Sequence, residues 1–406
     1  MEFYIGELPN GIRIIHKQTT SPVSHFGVTI DVGSRDEQIN EHGLAHLIEH
    51  MVFKGTKKRK AYHIFSRLED VGGEMNAFTT KEETCIHATF LSQYYSRAME
   101  LLADVMFNSV FDKKEIVKEL DVIMDEINSY KDSPSEQIFD DFDAFVFGDH
   151  PMGRNILGDE ETLENLSRNK IISFITKNYS ADKIVISSVG NISFEKFKAL
   201  ALKYYNQPIK NSDGVKRETP SLYSPVKKVI SRNTYQSHCL IGTRAYHLNH
   251  PNKMVLYMLN NLLGGPALNS RLNMAVREKN GLAYTVESSF QPFSDCGIFS
   301  VYLGTDKEMV EKALKVVKRE LDIFKNKELG VLQLSKAKKQ LTGYLTMSAE
   351  NHESLMISMG KSMLVYGKVE GLDSIYKKVE KVTSSQLMDV ANEIFDWDNM
   401  SKLIFE

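Results

Sequence analysis

Residues His46-Leu47-Ile48-Glu49-His50 place two histidines and a glutamate within one turn of a predicted helix. At about 100° per residue, His46, Glu49 and His50 fall on one side of that helix. The opposite side is apolar and carries Leu44, Leu47, Ile48, Met51 and Val52. The pattern therefore predicts a helix with one face packed into the protein and one face available for chemistry.

Histidines at positions i and i+4 can direct both imidazoles to one point, as a tetrahedral Zn²⁺ requires. Glu49 can reach the same point without being a ligand and can act as a base on a metal-bound water. This order of residues is the inverted form of the His-Glu-x-x-His zinc protease pattern. The alternative is a solvated helix face with two chance histidines. His42, His46 and His50 also have helical spacing, but Gly43 predicts a helix start after His42, so we expect His42 to lie outside the helix.

A catalytic zinc site keeps three protein ligands, and the segment from Phe111 to Lys131 offers the third. An apolar helical stripe is predicted there from Ile116, Val122, Ile123, Ile127 and Tyr130. Glu119 and Glu126 fall on this stripe, about two turns apart. A buried carboxylate is costly unless it is paired or binds a metal, so either glutamate could be the ligand. A buried salt bridge with Arg or Lys is the alternative.

Taken together, His46-x-x-Glu49-His50, the segment after it and the Glu119-x6-Glu126 pair resemble the pitrilysin family of zinc metallopeptidases, the inverzincins. The resemblance is strongest to the mitochondrial processing peptidase branch of that family. It implies that His46, His50 and Glu126 bind Zn²⁺ and that Glu49 is the catalytic base. It also implies that Glu119 orients a histidine without touching the metal.

Two more segments carry the resemblance. Gly72-Gly73-Glu74-Met75-Asn76-Ala77-Phe78-Thr79 is similar to the family's edge strand, in which Asn76 and Ala77 match the positions that bind the substrate backbone. On its own this segment predicts only a turn into a strand. Arg277-Glu278-Lys279-Asn280-Gly281-Leu282-Ala283-Tyr284 matches the family's Arg-x6-Tyr element. There the arginine and tyrosine reach from the second domain to the substrate, whereas alone they would be a surface arginine and a half-buried tyrosine.

The resemblance implies a zinc-dependent endopeptidase that hydrolyses extended or unfolded peptides inside a two-domain chamber. The alternative is a non-catalytic or structural partner subunit of a related peptidase complex. A storage or regulatory zinc site is a third hypothesis, and it would need neither Glu49 nor the Arg277 and Tyr284 pair. Because one chain carries both motifs, we expect a homodimer, with a heterodimer with a related chain as the alternative.

Composition agrees with a large globular protein. The chain has 406 residues, 42% of them hydrophobic, which predicts two or three domains. Its formal net charge of -3, from 50 Lys and Arg against 53 Asp and Glu, does not suggest nucleic acid or an anionic membrane as partner. The N-terminus lacks the pattern of a signal peptide, and no apolar run approaches the ~18 residues of a membrane span. Cys85, Cys239 and Cys296 are scattered, so a cytoplasmic location is expected and a cysteine-based metal site is not.

The predicted boundaries divide the chain into halves that resemble each other in outline. We predict a catalytic domain over 1–205, a linker over 206–225 rich in breakers such as Pro208 and Gly214, and a second domain over 226–406. In the second half, Tyr257, Asn260 and Asn261 stand near the positions of the zinc motif, so duplication with the metal kept in one copy is indicated. A hairpin is predicted near Asn10-Gly11. Strands and helices come in blocks, which predicts an α+β fold with an antiparallel sheet and helices packed on one side in each domain.

Overall fold

The chain forms two compact units in the computed structural model, which describes residues 2–209, 216–221, 223–232 and 234–406. Unit 1 comprises Met1–Ile127, Arg154–Glu218 and Met347–Gly371. Unit 2 comprises Asn128–Gly153, Thr219–Thr346 and Leu372–Glu406. Residues 210–215 and Leu222 of the predicted linker lie outside the described residues.

Eleven strands are found among the described residues. They are β1 Tyr4–Glu7, β2 Arg13–Gln18, β3 Val23–Ile30, β4 Glu74–Thr79, β5 Thr84–Leu91, β6 Ile184–Gly190, β7 Lys227–Ile230, β8 Ser237–Arg244, β9 Thr285–Pro292, β10 Gly297–Thr305 and β11 Ser401–Phe405. The first six belong to unit 1 and the other five to unit 2.

Fourteen α-helices are found in the same ranges. They are α1 Leu44–Met51, α2 Ala61–Glu69, α3 Tyr95–Asn108, α4 Lys113–Lys131, α5 Pro134–Phe147, α6 Glu160–Glu164, α7 Arg168–Asn178, α8 Phe194–Tyr205, α9 Lys253–Gly264, α10 Val310–Asn326, α11 Val331–Ser348, α12 His352–Tyr366, α13 Leu372–Lys381 and α14 Ser384–Ile394. A π-helix spans Asn273–Glu278. None of the helices in the described part of the chain is long and apolar enough to cross a membrane.

The two sheets share an arrangement of five strands, and the sheet of unit 1 has β1 in addition. The order in unit 1 is β1-β2-β6-β3-β5-β4, and the order in unit 2 is β7-β11-β8-β10-β9. In unit 1 only the pair β2 and β6 is parallel, and in unit 2 only the pair β7 and β11. All other neighbours are antiparallel. The α+β prediction of two similar domains is confirmed, and each sheet has one parallel pair in addition to the predicted antiparallel pairs.

Helices cover both faces of each sheet, which corrects the prediction of helices on one side. Adjacent residues of a strand point to opposite faces. In unit 1, the ring of Phe26 on β3 contacts aromatic rings of α8 on one face of the sheet. The next residue, Gly27, faces the other way, and a Cβ added there would meet the Met356 side chain of α12. In unit 2, Leu240 packs with α5, and its neighbour Ile241 belongs to the core that includes α9, α10 and α14.

The second helix layer of each sheet comes from the other half of the chain. Helix α12 follows most of unit 2 in sequence but belongs to unit 1, while α5 precedes most of unit 2 and belongs to it. The compact units therefore differ from the predicted division at 205 and 226, which followed chain order. Local patterns of hydrophobic residues show that a helix has an apolar face, but not which sheet that face covers.

Local predictions near the site agree with the structure. The hairpin predicted at Asn10-Gly11 joins β1 and β2, and α1 and α4 lie where the hydrophobic pattern places them. On α4, Ile116, Ile123 and Ile127 are buried as predicted. Val122 is 47% exposed, so its place on the buried stripe was wrong. It lies about 100° of helix rotation from Ile123, at the edge of the buried face.

Candidate metal centre

The helix that carries the zinc motif begins at a specialised turn. Its N-cap residue, Gly43, has a φ of +86°, and a Cβ added there would lie 2.8 Å from the carbonyl oxygen of Leu157. Only glycine fits this combination of backbone angle and close approach. Helix α1 therefore starts after His42, as predicted.

A buried carboxylate caps this helix start. One oxygen of Glu37 accepts a hydrogen bond from the Ala45 N–H at 2.7 Å, and the other accepts from the Gly43 N–H at 3.1 Å. Burial raises the pKa of Glu37 to about 8, even though the two backbone hydrogen bonds act to lower that pKa. Sequence reasoning missed Glu37, because it lies six residues before Gly43 and so outside the N-cap and N3 positions of a capping box.

His46, His50 and Glu126 come together in unit 1. The Nε2 atoms of His46 and His50 lie 3.7 and 3.8 Å from the same oxygen, Oε2 of Glu126. One ligand atom from each residue can be chosen so that all three lie within 4.8 Å of one another. Helix α1 supplies the two imidazoles and α4 supplies the carboxylate, so side chains from two helices form the cluster.

This cluster fits a zinc ion. Two donors bound at about 2.1 Å to a tetrahedral Zn²⁺ are roughly 3.4 Å apart, close to the distances between each histidine and Glu126. Two imidazoles and one carboxylate are also a donor set of catalytic zinc sites, in which the fourth position stays open. Of the described residues, no other group of His, Cys, Asp or Glu has this arrangement.

The protonation of His46 suits a metal ligand. Burial, and to a lesser extent the neighbouring His50, lower the pKa of His46 to about 4. The imidazole is therefore neutral at pH 7, so it keeps a lone pair for a metal ion. His42 is engaged elsewhere, because its ring nitrogens contact the carboxylate of Asp159 at 2.8 Å and the carbonyl oxygen of Asn155 at 2.7 Å.

Glu119 contacts a histidine and does not belong to the three-residue cluster. Its Oε2 lies 3.1 Å from Nδ1 of His50, on the side of the ring away from the nitrogen that faces Glu126. Its Oε1 pairs with the Lys54 ammonium at 2.6 Å. The two carboxylates of α4 therefore occupy different places, one beside both Nε2 atoms and one behind His50. The sequence pattern left this choice open.

Glu49 shares the polar side of α1 with the two histidines and is half-buried. Burial raises the pKa of its carboxyl group, while Thr79 and His50 lower it and Glu126 raises it. A carboxylate whose pKa is moved toward neutrality is a better general base at physiological pH. Thr79 is the last residue of β4, so the same strand that forms the sheet edge reaches this carboxylate.

Asn76 and Ala77 lie on β4, the outer strand of the unit 1 sheet next to β5. Helix α1 packs against this strand, which places the zinc motif beside the sheet edge. Asn76 is exposed, and its side-chain oxygen accepts a hydrogen bond from the Ala77 N–H at 2.8 Å. Within the described residues β4 pairs only with β5, so its other edge can accept a further strand.

Arg277 and Tyr284 belong to unit 2 and are exposed by 49% and 63%. Arg277 lies in the π-helix, a rare local structure that is frequent at functional sites. Gly281 follows with φ of +58°, and the Tyr284 N–H is bound to the Gly304 carbonyl of β10 at 3.0 Å. Both side chains are thus available to a ligand, on a segment whose backbone is held in place.

Comparisons with known proteins give consistent results. A family model described as insulinase, peptidase family M16, matches residues 13–160, and one described as the peptidase M16 inactive domain matches residues 165–341. The chain is 33% identical to the uncharacterized zinc protease YmxG of Bacillus subtilis, over 97% of this chain and 96% of the relative. It is 34% identical to an uncharacterized zinc protease of Streptomyces coelicolor, over 95% of this chain and 86% of the relative.

Two solved structures share the fold. One, described as a peptidase M16 inactive domain from Pseudomonas fluorescens, superposes with a TM-score of 0.92 at 21% identity and covers 100% of this chain and 98% of that one. The other, described as a protease from Helicobacter pylori, has a TM-score of 0.90 at 21% identity and covers 100% and 99%.

Proposed function

Because this chain belongs to peptidase family M16, we propose that it is a zinc-dependent endopeptidase that hydrolyses extended or unfolded peptides. Its relatives carry the name zinc protease, which supports metal-dependent peptide hydrolysis. The preference for internal bonds of extended chains, and a chamber that would enclose them, go beyond those names and belong to the proposal.

Three residues would hold the metal. The Nε2 atoms of His46 and His50 and a carboxylate oxygen of Glu126 are the donors that the structure brings together. A bound Zn²⁺ would supply Lewis acidity, which polarises a peptide carbonyl and lowers the pKa of a water molecule. Glu119 would keep the His50 ring oriented through its Nδ1.

Glu49 would move the proton. Its carboxylate takes a proton from the attacking water and then passes it to the nitrogen of the departing amine. Its raised pKa serves both steps, because the same group must accept a proton and later release it near neutral pH. Glu49 lies between the two histidines in the sequence of α1 and is not one of the three proposed ligands, which supports its role as the base.

The outer edge of β4 would bind the substrate. An extended peptide that adds to this edge would use its backbone hydrogen bonds, opposite Asn76 and Ala77. Such pairing gives affinity with little dependence on side chains, which is why we propose unfolded peptides as substrates. Arg277 and Tyr284 of unit 2 would contribute a cation and a phenol to the bound peptide near the scissile bond.

The observation that carries this proposal is the convergence of two histidines and Glu126 on α1 and α4 with Glu49 beside them. The experiment is metal quantitation on the purified chain, followed by mass spectrometry of products from an unfolded peptide mixture. We expect about one zinc per chain and internal cleavages that a chelator abolishes. Zinc without cleavage would favour a structural partner subunit or a storage site, and absence of zinc binding would refute the proposal.

Assembly and location also belong to the proposal. One chain carries both the zinc motif and the Arg277 and Tyr284 pair, so we propose a self-sufficient homodimer in the cytoplasm. Light scattering of the purified chain tests the dimer, and fractionation of cells tests the compartment. An active monomer or an obligate complex with a related chain would replace the homodimer.

A further inference from the structure

The two ligand histidines are held in different ways. His50 has a carboxylate behind it, since its Nδ1 lies 3.1 Å from Oε2 of Glu119. The Nδ1 of His46 is buried and has no hydrogen-bond partner among the described residues. A hydrogen bond on one ring nitrogen fixes which nitrogen keeps the lone pair for a metal. The orientation of His50 therefore depends on the orientation of Glu119.

A lysine occupies the second oxygen of Glu119. Its Oε1 lies 2.6 Å from the Lys54 Nζ, so the two oxygens of one carboxylate have separate partners. The Glu119 side chain is only 6% exposed, whereas that of Lys54 is 28% exposed. A carboxylate buried to this degree needs a partner, and without Lys54 its free oxygen could rotate toward water.

The backbone of Lys54 is hydrogen-bonded to α1, the helix that carries His46 and His50. Lys54 lies four residues after His50, and its N–H donates to the Met51 carbonyl at 3.1 Å. Lys54, Glu119 and His50 thus form a continuous chain of polar contacts from the end of α1 across to α4 and back to a ligand imidazole.

We propose that Lys54 is a positioning residue of the metal centre. It acts through Glu119 and holds that carboxylate in the orientation in which Oε2 accepts a hydrogen bond from His50 Nδ1. This inference rests on the proposed function, because Zn²⁺ is the ion that His50 would bind. Loss of a group behind a ligand typically lowers metal affinity by ~10–100-fold, and we expect Lys54→Met to fall in the lower part of that range.

The test is zinc affinity of the full chain, measured by competition with a chromophoric chelator, with the visible spectrum of the Co²⁺ form as a second readout of ligand geometry. The variants are Lys54→Met, Lys54→Arg, Glu119→Gln and the double variant of Lys54→Met with Glu119→Gln. Lys118→Met is the matched control. Lys118 forms a 2.6 Å ion pair with Glu115 on α4, the helix that carries Glu119, but this pair lies on the exposed side of that helix.

We expect Lys54→Met to weaken zinc binding about tenfold and to change the Co²⁺ spectrum. Lys54→Arg should recover most of the affinity, and Lys118→Met should equal the parent. Because Lys54 acts through Glu119, the double variant should bind zinc no more weakly than Glu119→Gln alone. Should Lys54→Met fail to fold, Lys54→Gln replaces it in the same comparison.

Parental zinc affinity in Lys54→Met would overturn this inference. It would also be overturned if the loss of zinc affinity in the double variant equalled the product of the losses in the two single variants. A lower melting temperature with unchanged zinc affinity and an unchanged Co²⁺ spectrum would assign Lys54 a purely structural role and would also overturn it. Failure of the parent chain to bind zinc would instead refute the proposed function, so the two failures are distinguishable.

Discussion

Units 1 and 2 use the same five-strand arrangement, yet only unit 1 has a cluster fit for a metal among the described residues. In unit 1 the helix packed beside the edge strand carries His46, Glu49 and His50. In unit 2, α9 packs against edge strand β9 and carries Tyr257, Asn260 and Asn261.

Two of these polar residues of α9 make contacts within unit 2. The Tyr257 ring lies 4.9 Å from that of Phe290 on β9, and the Asn261 amide donates to Gln340 at 3.3 Å. Both units therefore use the same sheet and edge helix as a scaffold, and a few side chains on one helix face distinguish the metal-ligand cluster of unit 1 from the packing contacts of unit 2. Four sets of substitutions test this comparison of the units.

The largest effect is expected from Glu49→Gln. This change keeps the size of the side chain and the metal ligands but removes the proton acceptor, so peptide hydrolysis should fall by ~10²–10⁴-fold while zinc content stays at the parental level. Initial rates on an unfolded peptide and metal quantitation measure both. Glu69→Gln, an exposed residue on α2, is the control. Cleavage at the parental rate would remove Glu49 from the mechanism.

The second set of substitutions lies in α5 and α12, the two exchanged helices, each of which covers a sheet formed mainly by the other half of the chain. Met356→Ala on α12 should reduce the free energy of unfolding by about 2–5 kcal/mol, and Phe142→Ala on α5 by about 3–5 kcal/mol, because both side chains are fully buried against the sheets. Denaturant unfolding gives these values. Ser358→Ala, on the exposed side of α12, should change little. If Met356→Ala were as stable as Ser358→Ala, α12 would not belong to the core of unit 1.

The two glutamates of α4 should differ in metal affinity. Glu119→Gln removes only the group behind His50 and should cost ~10–100-fold, whereas Glu126→Gln removes a charged donor and should cost more. Titration against a chelator ranks the two variants. The roles must be exchanged if Glu119→Gln empties the site and Glu126→Gln leaves it full.

The smallest effect is expected in unit 2. Arg277→Ala and Tyr284→Phe should each retain zinc and lower turnover about tenfold or more, for a hydrogen bond worth ~1.5–3 kcal/mol to a charged or developing-charge partner. Steady-state rates and zinc content check this. Lys279→Ala, in the turn after the π-helix, is a matched control because its side chain is exposed. Full activity of both variants would mean that unit 2 serves as scaffold alone.

The sequence predicted what local spacing can determine. Helices α1 and α4, the hairpin at Asn10-Gly11 and the grouping of His46 with His50 all follow from helical or turn patterns. The family resemblance, and not spacing, selected Glu126 over Glu119, since both lie on one helical line. The structure places Glu126 beside both Nε2 atoms and Glu119 behind His50, but the roles of these residues still need the experiments above.

Contacts between distant segments could not be predicted. The Glu37 cap depends on a loop that folds back on the start of α1, and the Lys54 pair depends on how closely Glu119 of α4 approaches the segment after α1. The exchange of α5 and α12 was missed for the same reason. Each of these helices has an apolar face, but periodicity within a helix carries no information about a partner sheet hundreds of residues away.

The position of α12 in the chain also determines when the unit 1 sheet can be covered during synthesis. The Arg13 side chain donates to the Met363 carbonyl, a contact between residues 350 positions apart. The strands of unit 1 are all available once Gly190 has been made, but their second face stays uncovered until Tyr366 follows. At about 5–20 residues per second this interval is roughly 10–35 s on the ribosome. A nascent chain must therefore keep an apolar sheet face from aggregating for that time, and a chain cut short before α12 would never cover it.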